Sequence, residues 1–458
     1  MAYGVILGQQ PDFSKYIEKS EKGQPNGVCP LGPDGKIPIE YGGGVPTTLT
    51  VNSVPKGATI TVTDGETTFT DVAETGVSTF NIPKAGNWNV KAEKDGVTDE
   101  TSIEAGKYET NLSVAPIYGV EWDGTANTKW ARTDNAVGFV NPTPALNNGT
   151  GSSPFDNIMP WAGMVRSTKQ NAGEVVAIPK FYYKWTAVGN GLKLQISMYK
   201  IDDSYFVSPA HMDRGDGKGE RDVVYVGRYH CSTNNWKSAT KVNPKNNITR
   251  ANARQNIHKL GANIWQWDWH MHMTIWMLYL VEFADWNCQT AIGYGCGNGS
   301  NVEHMGKSDA MKYHTGTPYS SRTTYGAGVQ YRYIEGLWDN VYDWVDGCYY
   351  NSSGLNIIND PNKFSDTTNG FVVGVPTSGY PSKFVVKEVN GFQVIYPIAS
   401  NGSYSTYTCD DWNFGASYPC LYLGGYYSHI LHFGIGYVNY NSVSYSSASI
   451  GPRLMMLP

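Results

Sequence analysis

A chain of 458 residues is too long for one core, so two or three domains are expected. Charged residues make up only 16% while Gly (51) and Tyr (32) abound, which favours a β- and loop-rich protein with a polar but weakly charged surface. A net charge of −5, a pI near 6.0 and the lack of any basic stripe argue against nucleic acid as a partner, because phosphate binding needs clustered Lys and Arg.

The start, MAYGVILGQQPDF, carries no basic n-region and so does not read as a secretory signal. Residues 1–45 are rich in Pro and Gly (PNGVCPLGPDGKIPIEYGGG) and read as an extended leader that packs against a partner, with Gly42–Gly44 as a hinge. From 46 to 115 the pattern turns to alternation. TTLTVNSV, ATITVTDG, STFNIPKAGNWNVKAEKDG and KYETNLSVA predict short strands of a small β-sandwich, immunoglobulin-like in size and serving as a spacer.

Residues 116–458 are far richer in aromatics. The spacing predicts one helix over 248–261, N-capped by Thr249 and stopped at Gly261. A second is predicted over 273–287, capped by Thr274 and apolar on nearly every face, hence central and buried. Around them VAIPKFYYKWT, LKLQISMY, VVYVGRY, GLWDNVYDWVDG and GFQVIYPIAS read as aromatic strands, which together give an α+β domain. The longest strongly apolar run, 275–281, is far shorter than a membrane span, so no membrane insertion is expected.

Chemical motifs are sparse. Seven cysteines (29, 231, 288, 296, 348, 409, 420) form no CxxC pair, which indicates neither a zinc knuckle nor a disulfide framework and fits reduced thiols in a cytoplasm. Asp268, His270 and His272 in WDWHMHM have ligand chemistry, but no further ligand is identifiable and a core role beside the helix is expected. DRGDGKGE (213–220) lacks the ligand spacing of a calcium loop and reads as a Gly-rich turn; the QPD triplet at 10–12 reads as chance. His429 and His432 have no assignable orienting group, so contact roles are expected for both. No metal, cofactor or catalytic residue is expected.

The C-terminal end stands apart. Two stiff blocks, LYLGG (421–425) and IGPRL (450–454), bracket the run Tyr426–Ser449, whose 24 residues include no Lys, Arg, Asp, Glu, Gln, Trp, Met, Pro, Thr or Cys. A segment of Tyr, Ser, Asn and Gly without charge has the composition of an antibody paratope, where Tyr supplies contact area at low entropic cost.

GLWDNVYDWVDG (336–347), after EFADWN (282–287), resembles the GNVWEW block of formylglycine-generating-enzyme-like domains, and LYLGGYY with IGPRL resembles their RGGSW…GFR ending. The set resembles a C-type lectin fold of that type over 116–458. Within it, the ending is similar to the variable proteins of diversity-generating retroelements, above all those of phage tail fibres. There, adenines of AAY codons are rewritten, which cannot yield Lys, Glu, Gln, Met or Trp, and none of these occurs in 426–449. NGVCPLGPDGKIP (26–38) is similar to segments of phage tail-fibre and baseplate-attached proteins.

The resemblance implies a non-enzymatic, virion-mounted receptor-binding protein, folded in the host cytoplasm. Its leader would engage a tail or baseplate protein, it would assemble as a homotrimer, and a variable region at about 410–449 would bind a host cell-surface protein or glycan. The expected binding face is Trp412, Phe414, Tyr427, Ser428, His429, Ile430, Leu431, His432, Tyr440, Asn441, Val443, Tyr445 and Ser447, with Gly424, Gly425, Gly451 and Arg453 structural. The alternatives are a bacterial surface-displayed or cytoplasmic diversified binder, or an enzyme on the same scaffold, either a glycan depolymerase or a formylglycine-generating-type oxidase. No Cys lies between Gly424 and Arg453, which argues against the oxidase.

Overall fold

Strands take up 38% of the chain and helices 9%, in several small sheets, so the architecture is broadly β-rich. The computed structural model describes residues 47–458 apart from 53, 54, 56, 84, 85, 95, 105, 113, 296–298 and 429–432. The leader, the glycine hinge, QPD and the stretch His429–His432 therefore lie outside the described residues. The chain divides into two compact units, Met1–Ala115 and Pro116–Pro458. No helix among the described residues is long and apolar enough to cross a membrane.

Among the described residues of the first unit, the strands Thr47–Asn52 (β1), Ala58–Thr63 (β2), Thr68–Ala73 (β3), Ser78–Ile82 (β4), Trp88–Lys94 (β5), Val97–Ile103 (β6) and Glu109–Asn111 (β7) make two sheets of order β4-β1-β7 and β3-β2-β5-β6. Their period-2 alternation turns Leu49, Val51, Phe80 and Ile82 from one sheet and Ile60, Val62, Trp88 and Val90 from the other into one shared core.

The second unit is built around one helix. Helix α1 (Arg250–His258) starts where the sequence places it, with Thr249 Oγ1 accepting the Asn252 N–H (3.3 Å). Helix α2 spans Trp269–Phe283 and begins earlier than expected. Its N-cap is Asp268, whose Oδ1 accepts the Met271 N–H (2.9 Å), not Thr274. Thr274 instead sits mid-helix, donating to His270 O (2.8 Å) and accepting the Ala210 N–H (3.0 Å). All fifteen residues of α2 are buried. The His270 and His272 rings are tolerated there because burial pushes both imidazoles far down, leaving them neutral.

Five-stranded sheets flank α2. One has the order Phe206–Val207, Tyr182–Val188, Gly191–Ser197, Tyr118–Trp122, Ala131–Asp134. The other runs Arg166–Lys169, Gly173–Pro179, Val223–Gly227, Leu454–Met456, Ile264–Gln266, which sews the C-terminal strand into the middle of the unit.

Candidate functional site

Three separated sequence blocks meet in one sheet. Its strand order is Val438–Asn441, Cys420–Leu423, Tyr342–Trp344, Ile450–Pro452, with the last pair parallel and the others antiparallel. CLYL is buried on both faces, so the segments on either side of it are carried by a fixed strand. At Gly424 (φ +77°) an added Cβ would lie 2.3 Å from Leu337 O, and at Gly425 it would lie 2.6 Å from Trp338 O. At Gly451 a Cβ would meet Lys245 O at 2.3 Å. Close backbone approach, which only Gly permits, therefore joins the blocks.

Arg453 locks this arrangement from beneath. Its buried guanidinium donates to Asp343 Oδ2 (3.1 Å) and to the carbonyls of Gly227 (3.0 Å), Arg228 (3.2 Å), Glu335 (2.9 Å) and Gly336 (3.0 Å). Burial alone would raise the Asp343 carboxyl, but Arg453 and His230 hold it below its ordinary value.

The run Tyr426–Ser449 divides in two. Tyr427 and Ser428 reach the surface, and Asn439–Ser449 is exposed or half-exposed, with Val443 at 46% and Tyr445 at 36%. Between them Gly434–Val438 is buried. Asp410 pins this middle stretch through its backbone: Oδ1 accepts the Gly434 N–H (2.7 Å) and Oδ2 the Gly436 N–H (2.9 Å), while Cys288 Sγ accepts the Ile435 N–H (3.3 Å). A Cβ on Gly434 would fall within 2.6 Å of both carboxylate oxygens. The anchor reads main-chain groups only, so side chains on either side of it can change without loosening it.

Of the expected face, Phe414, Tyr440, Asn441, Val443, Tyr445 and Ser447 lie on the two strand-and-loop segments 413–418 and 439–449, with Tyr427 and Ser428 beyond the Gly424–Gly425 turn. Trp412 is a correction. It is 1% exposed, packed edge-on against Trp269 (5.7 Å) and Phe384 (6.4 Å), with Nε1 donating to Tyr350 OH (3.1 Å), so it supports the face from below. Sequence reasoning missed Tyr418, 47% exposed and stacked on Tyr440 (5.4 Å, 19°), beside the Phe414 ring that meets Tyr350 edge-on (5.0 Å). The signal was present, since 400–418 carries the same Ser, Tyr, Asn and Gly richness but lies outside the bracket blocks.

Substitution at the exposed positions Val443 or Tyr445 is expected to shift unfolding free energy by no more than about 0.5 kcal/mol. Ile435→Ala, in the buried stretch, is expected to cost about 2–5 kcal/mol. Denaturant titration of the three variants checks this contrast.

The buried acids give the unit a pH signature. Burial pushes the Asp410 carboxyl up to about 7, against its two N–H bonds and with Asp411 adding to the rise. Burial and Glu335 do the same to Asp339, also to about 7. A carboxyl whose folded pKa is raised binds more protons in the native state, so its contribution is full below 3.8 and is lost as pH climbs to about 7. Denaturation midpoints across that window are expected to fall with rising pH from these two groups, and to fall less steeply in Asp410→Asn.

Reactive constellations are shielded. Asp268 pairs with Arg214, His270 Nε2 with Asn359 Oδ1 (2.9 Å), and His272 lies against Trp276 (5.8 Å). Among the described residues no group of three or more His, Cys, Asp or Glu is placed to hold a metal ion. Asp213 Oδ1 accepts the Gly215 N–H (2.9 Å) and Asp216 pairs with Arg221 (2.5 Å), so DRGDGKGE is a turn closed on itself. Ser208 Oγ meets His211 Nδ1 (2.7 Å), and His314 links Thr315 Oγ1 (2.7 Å) to Asp156 Oδ1 (2.8 Å), with Ser208 and Thr315 both buried. The five described cysteines are free and buried, and burial raises the thiols of Cys409 and Cys420, the latter to about 11. A scan against protein-family models returns no match for this chain, and a search of curated proteins returns none either.

Proposed function

We propose that this chain is a non-enzymatic receptor-binding protein of a phage tail fibre, with a C-type-lectin-like head over 116–458 that presents a diversified C-terminal surface. The observation that carries the reading is the seating of an uncharged, Tyr- and Ser-rich surface on a sheet built from the three blocks of the resemblance, held through backbone contacts at Gly424, Gly425, Gly434 and Gly436. Such a support leaves side chains free to change while the backbone stays put. The ligand is a host cell-surface protein or glycan, engaged by Tyr427, Ser428, Phe414, Tyr418, Tyr440, Asn441, Val443, Tyr445 and Ser447. Residues 429–432 belong to the same variable segment.

In this reading residues 46–115 are an immunoglobulin-like spacer, 1–45 attaches to a tail or baseplate protein, and a homotrimer multiplies weak single contacts into avidity. A cytoplasmic or surface-displayed bacterial binder with the same face is the second reading; association of the 1–45 segment with a tail protein separates the two. The test is competition: the purified chain is expected to block adsorption of the phage that carries it, and the Tyr418→Ala, Tyr440→Ala double variant is expected to lose that block. Undiminished blocking by the variant would move the binding face elsewhere.

A further inference from the structure

Asp213, Arg214 and Gly215, the first three residues of the DRGDG motif that the C-terminal face leaves unused, line a cleft of about 540 Å³ that shares no residue with that face. The volume lies inside the roughly 300–1,000 Å³ of small-molecule sites. Asp360, Asn369, Asn390 and Phe371 line the same cleft, and Phe371 is 42% exposed at the start of the edge strand Phe371–Gly374. A large aromatic side chain left that open beside planar amide and carboxylate groups is the pairing that recognises a pyranose. The C–H face of the ring lies on the aromatic, and vicinal hydroxyls are bridged by carboxylate and amide oxygens.

The charges decide which sugar. Lys363 Nζ is paired with Asp360 Oδ2 (3.3 Å), and the buried Arg214 is paired with Asp268 and donates through Nε to Asn359 O (2.7 Å). Every cation lining the cleft is thereby matched by an acid, and Asp213 adds a further negative charge, so an anionic ligand is disfavoured. Hydrogen-bonding capacity remains: Asn369 uses Nδ2 on Lys363 O (3.3 Å), which leaves Oδ1 to accept, and Arg214 Nη1 has no acceptor. Asn390, which also lines the cleft, is held at φ +46° in the hairpin turn between Lys383–Val389 and Phe392–Ala399. We infer that this cleft binds a neutral hexopyranose, with Phe371 as the stacking platform and Asp213, Asn369 and Asn390 as the hydroxyl-reading groups. The site stands independently of the diversified face.

Saturation-transfer NMR of the full chain with the methyl glycosides of mannose, galactose and N-acetylglucosamine tests this, with glucuronic acid as the charged comparison. At least one neutral glycoside is expected to receive saturation, and Phe371→Ala to weaken its binding about tenfold. Asn390→Gly keeps the left-handed backbone and removes only the amide, so loss of signal there cannot be blamed on folding. Both variants are expected to melt like the parent. No transfer to any neutral glycoside, transfer that neither variant reduces, or tighter binding of glucuronic acid would each overturn the assignment.

Discussion

Arg453→Ala is expected to destabilise the 116–458 unit by about 3–5 kcal/mol, because it takes the fixed positive charge from the buried Asp343 carboxylate and leaves it beside His230 (3.3 Å), an imidazole that burial pushes down. The carbonyls of Gly227, Arg228, Glu335 and Gly336 lose this donor at the same time, although Arg228 O keeps the Glu335 N–H (2.8 Å). Lysine cannot replace the planar fork, so Arg453→Lys is expected to recover little. The double variant Arg453→Ala, Asp343→Ala is expected to be more stable than Arg453→Ala alone, since no orphan charge remains. Guanidinium titration of the four proteins measures this. A single-variant loss below about 1 kcal/mol would mean that the bracket block is not held by this arginine.

Trp412→Ala is the second large effect, about 3–5 kcal/mol for removing a fully buried indole. The ring fills the space between Trp269 and Phe384, while its backbone exchanges hydrogen bonds with Gly379 (2.9 and 3.0 Å). Beside it Val438 N–H donates to Asp411 O (3.1 Å) and Asn413 N–H to Val438 O (2.8 Å). These bonds couple the 413–418 segment to the strand Val438–Asn441. Trp412→Phe keeps the ring contacts, loses the bond to Tyr350 OH, and is expected to retain most of the stability and of the ligand binding. A Trp412→Ala protein that melts like the parent yet binds nothing would place the indole on the ligand after all.

These two residues mark how much was legible in advance. Arg453 and the glycines of LYLGG could be picked out as structural because they repeat a motif order, although the sheet that joins 336–347, 421–425 and 450–454 is visible only once long-range pairing is known. Trp412 was misplaced because sequence gives its neighbours along the chain, Asp411 and Asn413, which are polar, and not Trp269 and Phe384 across the core. The start of α2 was placed late for a related reason: two histidines and Asp268 look like a polar prelude, yet the helix holds all three buried, with Asp268 on Arg214, His270 on Asn359 and the His272 ring packed against Trp276. In the first unit the sheet-edge strands β3 and β6 escaped notice. Their Thr, Asp and Glu residues face solvent on one side and show little of the alternation that marked β2 and β5.

The split of the uncharged run was the least legible feature. Composition treats Tyr426–Ser449 as one stretch, whereas packing buries Gly434–Val438 on the Asp410 and Cys288 anchors and leaves two separate outer segments. The surface is therefore drawn by burial, not by residue type.

Deep sequencing of the 3′ end of the gene across a natural population shows whether this surface is diversified. Substitutions are expected to cluster at adenines in the codons of 427–432 and 439–449, with codons 424–425, 434–438 and 450–454 unchanged. Substitutions spread evenly along the chain, or concentrated in the buried codons 434–438, would contradict a diversified binding face on this scaffold.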